Sequence, residues 1–298
     1  MIGILLAAGL GTRLRPLTLV RPKPLVPLHG IPLLEFSLRQ LELAGCRLAA
    51  VNGHHLSHAL EAWLKERQRA RPGLELRFFD EPVLLGVGGG LARMARALPP
   101  GPLLVQNGDV LHDAELGRLA ELAEEEGVTL FTGGAPLVLE VLDGQVVGFR
   151  DSSRSTAGFT GVHIWGEDAR ARLLAWREAD IVPFWRGEIA AGRPVRAVPL
   201  AEGSGGGLWV DLGALPRYLP LHRELWEAPA YRALLERLGL EAAWDGTRRV
   251  SLGPGSRITG EARDCVAWTG VRWEGRAVDT ILLDGVAGQG SAEHEIIL

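Results

Sequence analysis

Four charged side chains, Arg13, Lys23, Asp109 and Asp211, stand in settings suited to phosphate chemistry. The apolar run Ile2–Leu6 passes into Ala7-Ala8-Gly9-Leu10-Gly11-Thr12-Arg13, and Lys23 follows between Pro22 and Pro24. A strand that ends in glycines lets backbone N–H groups face a concavity, an arrangement that suits phosphate oxygens. Two cations reaching the same loop would add charge-assisted hydrogen bonds to a polyphosphate. Pro16, Pro22, Pro24 and Pro27 stiffen the loop and so pre-position both cations. Lysine is informative here. Of 32 Lys plus Arg, only Lys23 and Lys65 are lysines, so one kept in a proline-rich loop suggests a need for a compact point charge rather than a planar fork. Glycines alone fit a bare tight turn equally well. No Gly-Lys-Ser/Thr closes the loop as in a P-loop, and Leu14 stands where a dinucleotide fingerprint starting at Gly9 needs Gly or Ala.

The carboxylates come later. Asp109 stands near the end of the run LLVQNGDV, at the carboxyl end of a strand, where open α/β sheets place their ligands; it also fits a plain loop start. Asp211 lies in LWVDLGALPRY, and Asp113 reads as a helix N-cap. In EPVLLGVGGGL (Glu81–Leu91), three consecutive glycines ahead of a helix imply that something flat or anionic approaches the backbone. Asn52 and the pair His54-His55 end another strand, where the histidines either satisfy a loop or touch a ligand.

The elements that must position these residues alternate in type. Ile2–Leu6, Leu48–Asn52, Leu74–Phe79, Leu103–Asn107 and Val128–Phe131 read as buried strands. Pro32–Ala44, Ser57–Arg69, Gly90–Leu98 and Asp113–Glu126 read as helices. Such alternation implies βαβ units and a Rossmann-like α/β fold with a mixed, mostly parallel sheet. Leu137–Val141 and Val146–Phe149 flank Asp143-Gly144, a hairpin signal. Phe159–Trp165 and Leu208–Leu212 read as further strands, and 167–177, 183–191 and a segment from about Ala214 as helices. From about Val250 small apolar residues and glycines recur at roughly six-residue spacing, the rhythm of a short β-helix; an antiparallel hairpin extension is the alternative. The expected division is a catalytic domain at 1–226, a helical linker at 227–246 and a short β-helix-like domain at 247–298.

GLGTRLRPLTLVRPKPLVP resembles the signature of sugar-1-phosphate nucleotidyltransferases, G-x-G-T-R-x-x-P-x-T followed by a K-P step. The resemblance covers roughly residues 1–225 and implies the nucleotidyltransferase fold. It implies that Ala7, Ala8, Gly9, Gly11, Thr12 and Arg13 hold the nucleoside triphosphate, with Asn52, Gly88 and Gly89 on the nucleotide side. Arg13 and Lys23 then stabilise charge during transfer. Asp109 in its N-G-D step and Asp211 in a segment like W-x-D-x-G-T-x-x-x-Y become Mg²⁺ ligands, and Thr160 and Gly161 lie near the sugar phosphate. Val87 and Ala214 stand where Thr is usual. Many relatives carry a Glu-Lys-Pro step where Arg150-Asp151-Ser152-Ser153-Arg154 stands here; either an arginine replaces that lysine or the subgroup does without it. The subgroup resembled is mannose-1-phosphate guanylyltransferase-like and N-acetylmuramate-1-phosphate uridylyltransferase-like. The tail is similar to the left-handed β-helix-like extension of the guanylyltransferase-like members, and a short tail of that kind favours homo-oligomers.

The implied activity joins a nucleoside triphosphate to a sugar-1-phosphate. Two readings of other kinds remain: a non-catalytic nucleotide-sugar-binding regulatory subunit on the same fold, and a glycosyltransferase, which would be expected to carry an Asp-x-Asp motif. A net charge of −4 gives no reason to expect nucleic acid or an anionic membrane as partner. The distant Cys46 and Cys265 fit a reducing cytoplasm. No apolar run approaches a membrane span.

Overall fold

The computed structural model describes residues 1–122, 124–133, 137–150, 157–203 and 207–298. The chain divides into two compact units. One comprises Met1–Gly9 and Ser37–Asp211, the other Leu10–Phe36 and Leu212–Leu298. The proline-rich loop thus groups with the C-terminal segments, a division that differs from one drawn in chain order.

The first unit is built on a nine-stranded sheet. Its order is Glu75–Asp80, Leu48–Gly53, Ile2–Leu6, Leu103–Asn107, Ala157–Trp165, Val128–Gly133, Val195–Pro199, Gln145–Arg150 and Leu137–Leu142. The first four strands run parallel. Ile2–Leu6 and Leu103–Asn107 are almost fully buried, as parallel strands covered on both faces must be. The helix Gly86–Ala97 lays Leu91, Ala92, Met94 and Ala95 into a core shared with Ile4, Val105 and Trp165.

The mostly parallel reading holds only for this half. Ala157–Trp165 runs antiparallel to its neighbours, and Asp143 and Gly144, both with positive φ, turn the chain into an antiparallel hairpin. The sheet is mixed. Val195–Pro199, which pairs in parallel with Val128–Gly133, was not anticipated. The helix expected over Asp113–Glu126 spans Leu116–Glu121; past it, the chain is drawn into the sheet, with the carbonyls of Glu125 and Gly127 accepting from the N–H groups of Asp168 and Gly166 and Val128 opening the next strand. Asp113 is not its N-cap; Glu115 holds that position.

In the second unit, parallel ladders join residues fifteen positions apart: Val250 with Cys265, Arg257 with Arg272, Arg272 with Ala287, Val266 with Ile281 and Ile281 with Ile296. The period is fifteen, not the roughly six-residue rhythm expected. Three corners recur at it. Gly255, Gly270 and Gly285 have φ near 70°; Gly260, Gly275 and Gly290 have φ between 115° and 122°. Arg249, Asp264, Asp279 and His294 occupy the left-handed region without being glycine. Ala262, Ala277 and Ala292 stack inward, all buried. From Val250 onward every ladder among the described residues is parallel, and Trp244–Asp245 adds one antiparallel pair at the start, which does not fit the hairpin alternative.

Candidate active site

The ends of adjacent parallel strands meet at one place in the first unit. Leu6 is in register with Asn107, so Ala7 and Gly108-Asp109 leave the sheet side by side. Gly108 N–H donates to the Leu6 carbonyl at 2.8 Å, and a side chain at Gly108 would come within 3.2 Å of the Ala7 Cβ.

Asn52 fixes the start of the glycine loop. Its Oδ1 accepts the Ala7 N–H at 2.7 Å, and its Nδ2 donates to Glu81 Oε1 at 2.8 Å. The second Glu81 oxygen accepts the Leu85 N–H at 3.0 Å. Asn52 and Glu81 are both buried. Both ends of the amide are therefore engaged by the protein, and Asn52 serves to position the loop. Sequence reading missed Glu81, whose role depends on three segments meeting. His54 Nδ1–H donates to the Glu81 carbonyl at 2.6 Å, the loop-satisfying role.

The triple glycine lies inside the helix Gly86–Ala97 rather than ahead of it. What approaches two of these glycines is the chain itself. A side chain at Gly88 would meet the Asp180 and Glu178 carbonyl oxygens at 2.8 Å; one at Gly90 would meet Glu81 Oε1 at 2.7 Å. Gly89 is less crowded: the nearest atom is Leu85 Cβ at 3.2 Å.

The short strands Val110–His112 and Trp209–Asp211 pair antiparallel, with Asp211 opposite Val110. The backbones of Asp109 and Asp211 therefore lie one ladder step apart, and both residues are half-buried. Asp113 locks this ladder, since its Oδ1 accepts the Leu208 N–H at 3.0 Å and its own N–H donates to the Leu208 carbonyl. Two carboxylates whose backbones lie one ladder step apart suit a hard divalent cation such as Mg²⁺, which takes few protein oxygens and completes its shell with water and phosphate. Among the described residues, no group of three or more His, Cys, Asp or Glu could hold a metal.

Thr160 is buried and its hydroxyl donates to the Phe131 carbonyl at 2.7 Å, a role in the fold. Gly161 has φ 82° at an irregularity in the strand, and a side chain there would lie 2.6 Å from Asn107 Nδ2. Of the segment Arg150-Asp151-Ser152-Ser153-Arg154, residues 151–154 lie outside the described residues, as does any side-chain description of Arg150.

In the second unit the loop is built around Gly11, whose φ of 62° is natural for glycine. The Gly11 carbonyl accepts the Leu14 N–H at 2.9 Å and the Thr18 hydroxyl at 2.8 Å. Thr12 and Arg13 are exposed. Lys23 is buried, at 8% exposure, and opens a single 3₁₀ turn, Lys23–Leu25. Further on, the buried His29 is held by Tyr231 and by the His222 carbonyl, and burial, together with the nearby His222, lowers its pKa to about 3.

The turn after Leu6 and Asp109 leave the sheet at the carboxyl ends of parallel strands, with Asp211 on the short antiparallel ladder beside them, and this is where open α/β sheets bind their ligands. A family model described as nucleotidyl transferase matches residues 2–137. An N-acetylmuramate alpha-1-phosphate uridylyltransferase from Caulobacter vibrioides is 31% identical over 250 residues, 76% of this chain and 98% of that one. The chain belongs to the sugar-1-phosphate nucleotidyltransferase family. A UTP–glucose-1-phosphate uridylyltransferase from Synechocystis is 28% identical over 73% of this chain, and the match spans 61% of that protein. A mannose-1-phosphate guanylyltransferase from Mycobacterium tuberculosis is 36% identical over 40% of this chain, with 32% of its own length matched. The fold also matches a solved Bacillus anthracis chain described as a candidate glucose-1-phosphate thymidylyltransferase, with TM-score 0.63 and 16% identity, covering 81% of this chain and all of that one.

Proposed function

We propose that the protein transfers a nucleotidyl group from a nucleoside triphosphate to a sugar-1-phosphate in a Mg²⁺-dependent reaction, with mannose-1-phosphate and GTP as the preferred pair. The observation that carries the reaction is the pairing of Asp211 with Val110, beside Asp109 and at the end of the strand next to Ala7. An oxygen of the sugar phosphate attacks the α-phosphorus of the triphosphate. The bond from that phosphorus to the bridging oxygen breaks, and pyrophosphate leaves. The nucleophile is already anionic, so no protein base or covalent intermediate is needed; the protein's part is positioning and charge neutralisation.

Asp109 and Asp211 would hold Mg²⁺, which when bound neutralises phosphate charge and orients the two substrates. The Ala7–Gly9 backbone, fixed by Asn52, receives the triphosphate. Arg13 and Lys23 carry the roles that their motif has in the family: Arg13 on the outer phosphates, Lys23 on the charge at the reacting phosphate. The fifteen-residue repeat of the second unit supports its reading as a short β-helix, a surface through which copies of the chain associate. No helix among the described residues is long and apolar enough to cross a membrane.

The test is pyrophosphate release with each nucleoside triphosphate and dTTP against mannose-, glucose-, N-acetylhexosamine- and N-acetylmuramate-1-phosphate. Lys23→Ala is expected to lower turnover by about 10²–10³-fold, the usual cost of removing one such group, in a protein that stays folded. Turnover near that of the parent protein would overturn the assignment of Lys23. Tight nucleotide-sugar binding without turnover on any pair would favour the regulatory-subunit reading instead.

A further inference from the structure

Lys23 opens a single 3₁₀ turn between two prolines. Pro22 and Pro24 have no N–H to give, and the backbone bonds that close the turn are Leu25 N–H to the Pro22 carbonyl and Val26 N–H to the Lys23 carbonyl. Side chains on either side of the turn support it from outside.

That support comes from Arg21 on one side. Its Nη1 reaches across the turn to the Leu25 carbonyl at 3.5 Å. Its Nε donates to Asp284 Oδ2 at 3.0 Å, and its Nη2 bonds the other oxygen of the same carboxylate, a two-pronged pair. Nη2 also meets the Thr269 hydroxyl at 3.3 Å, and the guanidinium lies 4.9 Å from the centroid of the Trp268 ring. On the far side of Lys23, the Pro27 carbonyl accepts the Tyr218 hydroxyl at 2.7 Å, and Trp268 Nε1 donates to that hydroxyl at 3.0 Å. The loop is gripped on both sides of Lys23, and Trp268 serves both grips.

The repeat itself does not call for these side chains. Residues equivalent to Asp284, one and two repeats earlier, are Thr269 and Pro254, and all three precede a glycine of the same left-handed corner. Residues equivalent to Trp268 are Gly253 and Leu283. A carboxylate at 284 is therefore explained by what it holds. Asp284 Oδ1 also accepts the Thr269 N–H at 3.0 Å, which orients the carboxylate toward Arg21.

We propose that Asp284, through Arg21, is a positioning residue for Lys23, so that the C-terminal repeats set the geometry of the nucleotide loop. This rests on the role of Lys23 proposed above. A planar fork matched to a carboxylate is needed, so Arg21→Lys should fail to substitute even though it keeps the charge.

The test uses the full-length protein and two readouts. The first is hydrogen exchange of the Leu25 and Val26 amides, which reports the turn without reference to activity. The second is kcat and KM for both substrates, with thermal unfolding measured alongside. Asp284→Asn is expected to speed exchange at both amides and to lower kcat about tenfold, as small displacements of a catalytic group do, with each KM within about twofold. Asp284→Glu should recover part of both. Glu293→Gln, which breaks the ion pair to Arg276 in the same repeats, should leave exchange at Leu25 and Val26 and kcat unchanged. Unchanged exchange in Asp284→Asn, or an equal effect from Glu293→Gln, would overturn the proposal. Faster exchange with full kcat would overturn the catalytic consequence. Full kcat in Lys23→Ala would instead sink the role of Lys23 itself, so the two failures are told apart.

Discussion

Replacing Asn52 by alanine removes two hydrogen bonds at once and leaves both partners buried. The Ala7 N–H loses its acceptor at 2.7 Å, and Glu81 Oε1 loses its donor at 2.8 Å. Glu81 is 1% exposed and Asn52 2%, so water does not readily replace the amide. A buried donor left unmade costs about 1–3 kcal/mol, and a hydrogen bond to a charged acceptor contributes about 1.5–3 kcal/mol. The expected loss is about 3–5 kcal/mol, a large share of the roughly 5–15 kcal/mol that holds a domain together. Urea unfolding followed by tryptophan fluorescence measures it, since the core of this unit contains Trp165 and Trp185. The midpoint should fall with little change in slope. Asn52→Asp separates hydrogen bonding from size: it keeps the Ala7 acceptor but sets a carboxylate against Glu81 Oε1, so it should be no better tolerated than alanine. A loss below about 1 kcal/mol in Asn52→Ala, or near-normal stability in Asn52→Asp, would refute the reasoning.

Two other outcomes follow from geometry and charge. A methyl group at Gly275, whose φ is 122°, would collide with the Gly290 carbonyl oxygen, so Gly275→Ala should destabilise the second unit by about 3 kcal/mol, measured by calorimetry; full stability would exclude the tight corner. His163, His29 and His222 are buried, which lowers their pKa values to about 3, about 3 and about 4 from an ordinary 6.5. Their contribution is complete above pH 6.5 and is lost as pH falls toward 4, because only the unfolded chain takes up the protons. Each withdraws up to about 1.4 kcal/mol per pH unit, so stability should drop steeply over that window. A flat pH profile from 6.5 to 4.5 would contradict the burial of these rings.

Much of this was legible locally. Burial on both faces makes a parallel strand a short apolar run, and Ile2–Leu6 and Leu103–Asn107 show it; the loop that follows the first and the aspartate that follows the second could therefore be placed from sequence. What escaped needs partners from afar. Glu81 looks like any loop acid until Asn52 and Leu85 converge on it. Gly88 and Gly90 suggested a ligand against bare backbone, yet residues 178–180, Asn52 and Glu81 already fill that space. The fifteen-residue period was masked because one of its three corners uses Arg249, Asp264, Asp279 and His294, which share a backbone conformation but not one side-chain type.

That period makes length in the C-terminal part a counted quantity. Deleting one residue between Ala262 and Ala277 would put every later side chain out of phase, moving Val278 toward the place where Ala277 now stacks between Ala262 and Ala292. A duplicated block of residues 264–278 would add one more layer on the same ladders and disturb none of them. Chain length here should therefore change in whole layers, and a layer inserted ahead of Asp284 would carry that carboxylate away from Arg21 while leaving the stack intact.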